Sequence, residues 1–113
     1  MMGKRKCKLE IGKFYHAYGG KPHPAQIYKK TSHGTYVSVK TGTTNGPDMI
    51  PVKPTQKGIS QSYVKKRPFE GTRKDYGDHE VIGVSFHPDD QEIIEDVKKR
   101  KPRLTRRARD RYK

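Results

Sequence analysis

From Glu10 to Ser85 the chain runs as short β-branched or aromatic stretches, each cut off by a cluster of Gly, Pro, Asn or Asp. That punctuation confines it to a small all-β barrel or sandwich. The expected strands are Ile11 to Ala17, Ala25 to Lys30, Tyr36 to Lys40, Met49 to Lys53, Tyr63 to Lys66 and Val81 to Phe86. Alternation is clearest in Tyr36-Val37-Ser38-Val39-Lys40, where Val37 and Val39 share one face and point to the core. Ile82, Val84 and Phe86 repeat the pattern. Turns are expected at Tyr18-Gly19-Gly20-Lys21-Pro22, Thr43 to Asp48 and Asp75-Tyr76-Gly77-Asp78, with a tight hairpin at His33-Gly34. The polar stretch Pro54 to Gln61 reads as a surface loop.

The pattern changes at His87. Pro88 suits a first helical position, Asp89, Asp90 and Glu92 favour the positive helix N-terminus, and Lys98 to Lys101 favour the C-terminus. Ile93, Ile94 and Val97 form one apolar stripe, so a helix is expected that ends near Pro102. Beyond it, Leu104, Ala108 and Tyr112 fall on one stripe of a helical wheel, with arginines over the rest. Two states of this tail stay open: a short docked helix, or a disordered segment that orders on nucleic acid.

Ten of the last sixteen residues are Lys or Arg against the single acid Asp110, which places about nine of the fourteen net positive charges in that block. Such a block meets a polyanion, because phosphates relieve its self-repulsion by releasing counterions. The remainder of the chain is still basic, so the body is expected to share in binding. With 29% apolar residues and no Trp, the core is small. Cys7 is the only cysteine, so neither an intrachain disulfide nor a cysteine metal cluster can form. No apolar stretch follows the basic run before Lys8, and a cytoplasmic protein without membrane association is expected.

The five histidines lack metal-ligand spacing, and neither a phosphate-cradling glycine loop nor a nucleophile elbow is present. Nucleotide hydrolases and α/β-hydrolases drop out, and no metal or cofactor is expected. Lys65, Lys66, Arg67, Arg73 and Lys74, interleaved with Tyr63, Phe69 and Tyr76, offer cations for phosphates and rings for bases, as single-stranded nucleic acid requires. The alternative is a solvated sheet face with rings in the core.

The order of parts resembles the PemK/MazF-like family of small barrels related to SH3 folds, which includes RNA-cleaving toxins. It is carried by Ile11-Gly12-Lys13-Phe14-Tyr15 as an opening strand and by His23-Pro24-Ala25-Gln26-Ile27-Tyr28 after a Gly-rich loop. Thr35 to Thr44 then forms a strand ending in threonines, Ser62-Tyr63-Val64 follows, and Ile82-Gly83 to Val97 closes as strand and helix. The resemblance covers roughly residues 10 to 100. It implies an SH3-like barrel, RNA as substrate, an acidic antitoxin-like partner and a homodimer.

It also implies a pair of catalytic residues: an arginine opening the second strand and a threonine ending the third, which promote attack of the RNA 2′-hydroxyl on the adjacent phosphate. Here the first position is His23, which can exchange a proton near neutral pH but cannot grip phosphate with two parallel hydrogen bonds. Its alternative is a loop residue fixed between two prolines. Thr43 and Thr44 match the strand end, and equally suit turn hydroxyls beside Asn45-Gly46. Arg73 or Arg67 is expected to steady the phosphate.

The expected organisation is a basic arm over 1–9, an SH3-like barrel with its closing helix over 10–101, and an Arg-rich tail over 102–113. Arg103, Arg106, Arg107, Arg109 and Arg111 are the tail's nucleic-acid contacts, beside Lys65, Lys66, Arg67 and Tyr63 of the barrel. The leading functional expectation is a metal-independent endoribonuclease acting on single-stranded RNA. Its rivals are a silent nucleic-acid-binding barrel and a protein-interaction module.

Overall fold

A computed structural model describes residues 8–53 and 63–113. The loop expected from Pro54 to Gln61, and all but the end of the basic arm, lie outside the described residues. The strands are β1 (Phe14–Ala17), β2 (His23–Lys30), β3 (Thr35–Gly42), β4 (Met49–Pro51), β5 (Tyr63–Lys65), β6 (Phe69–Thr72), β7 (Tyr76–Glu80) and β8 (Arg103–Leu104). Two helices, α1 (Gln91–Lys98) and α2 (Arg106–Asp110), flank β8. The fold is mainly β and barrel-like, as the turn spacing requires.

β3 organises the sheet. β2 runs along one edge of it, joined by the expected hairpin, in which Gly34 takes a φ of 81° that a side chain would strain. The other edge is divided: Thr35 to Ser38 pair with β6, whereas Thr41 and Gly42 pair with β5. The two partner strands part at Lys40. β1 continues the sheet from β2 to β7, and β4 extends it from β5.

Both faces of β3 are covered, which explains its complete burial. Tyr36 joins Leu9, Tyr15, Ala17, Ala25, Ile27 and Tyr76 in one core. The opposite face carries Val39, which packs with Val64 and with Ile94 and Val97 of α1. The stripe read from the sequence is therefore the helix's buried face. A 3-10 turn, Pro88–Asp90, leads into α1, and its N-cap His87 accepts a bond from the Asp89 amide at 3.0 Å. The helix stops at Lys98, short of Pro102.

Three expected elements are displaced. The first strand begins at Phe14 rather than Ile11, because Gly12 turns the chain with φ 91° and leaves Ile11 exposed. No strand covers Val81 to Phe86: Gly83 has φ 82°, Ile82 is 77% exposed, and Phe86 reaches the core by packing on Phe14 from irregular chain. The strand lies earlier, at Tyr76–Glu80, where a turn was expected. Tyr76 is buried and its hydroxyl donates to the Tyr36 carbonyl at 3.1 Å, so the turn moves back to Arg73–Asp75.

The tail takes its docked form. β8 pairs in parallel with β6, and Thr105 caps α2 by accepting from the Ala108 amide at 3.1 Å. Ala108 is fully buried, Leu104 half-buried, and the Tyr112 hydroxyl donates to the buried carboxylate of Glu70. Asp75, also buried, accepts from the Thr105 hydroxyl at 2.7 Å and from Arg107 at 3.0 Å. Two buried acids of the barrel therefore hold the tail in place.

Candidate nucleic-acid interface

The fork between β5 and β6 opens into a cleft of about 570 Å³, within the ordinary range for small-ligand sites. Lys40 forms its floor, the Lys65 to Phe69 crossing forms one side, and Arg100 with Arg103 to Thr105 forms the other. Six cations line it, Lys40, Lys65, Lys66, Arg67, Arg100 and Arg103, against the single carboxylate of Asp48. The tail is thus a wall of the cleft as well as a charged appendage.

Several of these cations are held in place. Lys65 pairs with Asp48 at 3.2 Å, and that contact holds the Asp48 carboxyl below its ordinary pKa. The Arg67 guanidinium donates to the Lys101 and Pro102 carbonyls at 2.9 and 3.3 Å, tying the crossing to the start of the tail. Arg100 donates to the Lys66 carbonyl at 3.2 Å and to Asp96 at 2.8 Å. Lys40 is buried, donates to the Gly19 carbonyl at 3.0 Å, and lies 5.2 Å from the centre of the Phe69 ring. Burial, with Lys65 beside it, lowers the Lys40 pKa.

His23 opens β2 and is not itself among the residues that line this cleft. Register pairs Ala25 with Lys40, so His23, two residues away, shares the face of Lys40. Burial lowers the pKa of its imidazole, and Lys40, Lys65, Lys21 and His16 push the same way. Both effects disfavour the protonated ring. Continuing the register sets His23 across from Gly42, and the Thr41 hydroxyl, next to it, bonds the Pro24 carbonyl at 2.7 Å. Thr43 and Thr44 follow Gly42 on exposed chain at the same end of the sheet.

The other residues singled out by the sequence divide into two groups. Lys65, Lys66, Arg67 and Arg103 line the cleft, and Tyr63 pairs with Gly42 at its β5 edge. Arg73 lies elsewhere: its guanidinium donates to the Tyr76 and Gly77 carbonyls at 3.2 and 3.0 Å. Ala17 pairs with His23 on one side and Tyr76 on the other, so a strand separates Arg73 from His23. Arg107 turns to Asp75, and the Arg111 guanidinium occupies the space beside Gly34 where a side chain would stand. Arg106 and Arg109 remain exposed.

Lys40 and Arg100 join the site only through the fold, whereas Phe69, expected as a ring for bases, lines the cleft beside Lys40. A signal for Lys40 was present: it occupies the same strand face as Tyr36 and Ser38, where a lysine must have a reason to be buried. Among the described residues, no group of three His, Cys, Asp or Glu side chains converges as a metal site, and no helix is long and apolar enough to cross a membrane.

No family model matches the sequence, and no curated protein matches it. Among solved structures, the chain is similar to an endoribonuclease from Mycobacterial species in complex with its cognate antitoxin. The TM-score is 0.52 at 16% identity, over 84% of this chain and 100% of that one. This likeness is one of fold. It agrees with the barrel that the PemK/MazF-like resemblance implied.

Proposed function

We propose that the protein is a PemK/MazF-like endoribonuclease that draws single-stranded RNA into the basic cleft and cuts it without a metal ion. The observation that carries this reading is that His23, whose pKa is lowered by burial and by neighbouring cations, shares a sheet face with Lys40 of the cation-lined cleft. A proton acceptor beside concentrated positive charge is what 2′-hydroxyl attack requires. His23 takes the 2′-hydroxyl proton, the O2′–P bond forms, and the P–O5′ bond breaks. The departing O5′ takes a proton from water, leaving a 2′,3′-cyclic phosphate and a 5′-hydroxyl.

Thr43 or Thr44, at the end of β3, orients the attacking ribose, and Arg67 contacts the phosphate from the rim. Arg73 acts indirectly, by fixing the start of β7. Arg103 lets the tail contact the RNA within the cleft, while Arg106 and Arg109 extend the phosphate track outside it. Fold similarity to an endoribonuclease supports the reading.

A second reading is an acidic protein partner in the same cleft, favoured by its charge and by the antitoxin found with the similar structure. Incubation with single-stranded RNA in chelator separates these readings. Fragments with cyclic phosphate ends support the nuclease. RNA retained on a filter without fragments leaves a binding barrel, and RNA neither cut nor retained argues for the protein partner.

A further inference from the structure

Transition states of phosphodiester cleavage carry more negative charge on the phosphate oxygens than the ground state does. A cation stabilises them best when it is already fixed in a site poor in water. The cleft's cations differ in this respect. Lys65 and Arg100 share their charge with Asp48 and Asp96, and Arg67, bonded to two carbonyls, is exposed to solvent. Lys66 and Arg103 are exposed and hydrated.

Lys40 is different. It is 3% exposed, its hydrogen bond goes to a carbonyl that leaves the charge whole, and the Phe69 ring offsets part of the lost hydration. The seat is also built to measure. A Cβ on Gly19 would come within 2.5 Å of the Phe69 ring, so only glycine lets its carbonyl approach the ammonium in this arrangement. Lys40 and His23 stand diagonally across β3 and β2 on one face, a spacing that long side chains span.

We propose that the Lys40 ammonium is the seat of the scissile phosphate, held at the point where β5 and β6 part. This rests on the reading of the cleft as an RNA-cleaving site. Lys40 then has two effects: it meets the phosphate, and its charge adds to burial, together with Lys65 on β5, Lys21 in the preceding loop and His16 on β1, in disfavouring protonation of His23. Lysine at this position is a catalytic residue, distinct from the rim cations that capture RNA.

The first test uses unaltered protein with carbon-13-labelled lysines and inorganic phosphate as the probe. The Lys40 ε-methylene signal is expected to shift saturably, while that of Lys53, paired with Asp89 on the surface, stays still. Shifts at Lys65 and Lys66 with Lys40 unmoved would overturn the assignment. The second test compares Lys40→Met with the unaltered protein, after a thermal melt has shown that the variant folds. The expectation is a fall in kcat of about 100-fold with KM changed less than about threefold, and an upward shift in the NMR titration midpoint of His23. A raised KM with kcat preserved, or an unshifted His23, would contradict it. If the unaltered protein leaves RNA intact, the nuclease reading fails, while the phosphate titration still decides whether Lys40 is an anion seat.

Discussion

The guanidinium of Arg107 lies 3.0 Å from the carboxylate of Asp75, a residue 32 positions earlier whose side chain is only 7% exposed. The same carboxylate accepts from the Thr72 amide and hydroxyl and from the Thr105 hydroxyl, so one buried acid joins the β6–β7 turn to the tail. Asp75→Ala removes the acceptor from several buried donors and is expected to cost about 3 kcal/mol in urea unfolding. Arg107→Ala, with most of its side chain in solvent, is expected to cost less than about 1 kcal/mol. Equal losses in the two variants would show that the ion pair, not the hydrogen-bonded network, holds the tail.

Removing residues after Lys101 takes away β8, the buried Ala108 and the donors to Asp75 and Glu70. The shortened protein is expected to melt at lower temperature and to bind RNA more weakly than its lost charge alone explains, because Arg103 to Thr105 form a cleft wall. Thr105→Val separates the effects. It loses the α2 cap and the Asp75 bond without changing net charge, and is expected to cost about 2 kcal/mol. Stability unchanged in both proteins would mean that the tail does not dock in solution.

Rim cations are expected to act additively through salt. For single strands each neutralised phosphate adds about 0.7 to the slope of log affinity against log salt. Replacing Lys66 and Arg103 together by alanine is expected to flatten that slope by about 1.4. Filter binding over a salt series measures it, and an unchanged slope would place the RNA elsewhere.

The pH dependence follows from His23. Its folded pKa lies below the ordinary value of about 6.5, so the unfolded chain binds the proton more readily. Stability from this group is present above that value, falls as acid is added, and levels off once the folded pKa is passed. His23→Gln is expected to remove this acid-side loss in unfolding measured over a pH series. Cleavage by the unaltered protein is expected to lose activity on the acid side at a pH below about 6.5, and an acid limb above that would mean that the imidazole is not held neutral.

Much of this fold was legible because its signals are local. Alternation from Tyr36 to Lys40 marked the central strand, and charge placement with the Ile94 and Val97 stripe marked α1 and its buried face. The Val81 to Phe86 misreading has a physical cause: Phe86 packs half-buried against Phe14 from irregular chain, so apolar spacing alone imitated a strand. The cleft was legible only in part. Lys65 to Arg67 and Arg103 were recognisable as basic runs, but the fork that opens at Lys40 depends on pairing β3 with two strands distant in sequence. The Leu104, Ala108 and Tyr112 stripe left tail docking open without deciding it, since Glu70 and Asp75 look like surface acids until Thr35, Thr105 and Tyr112 converge on them.

RNA cleavage by matched preparations of the unaltered protein and folded His23→Ala, in chelator, decides most directly whether the cleft performs chemistry. The unaltered protein is expected to release fragments with 2′,3′-cyclic phosphate and 5′-hydroxyl ends, and His23→Ala to retain RNA binding while cutting at least about 100-fold more slowly. Intact RNA from the unaltered protein, or fragments formed at equal rates by both, would contradict it.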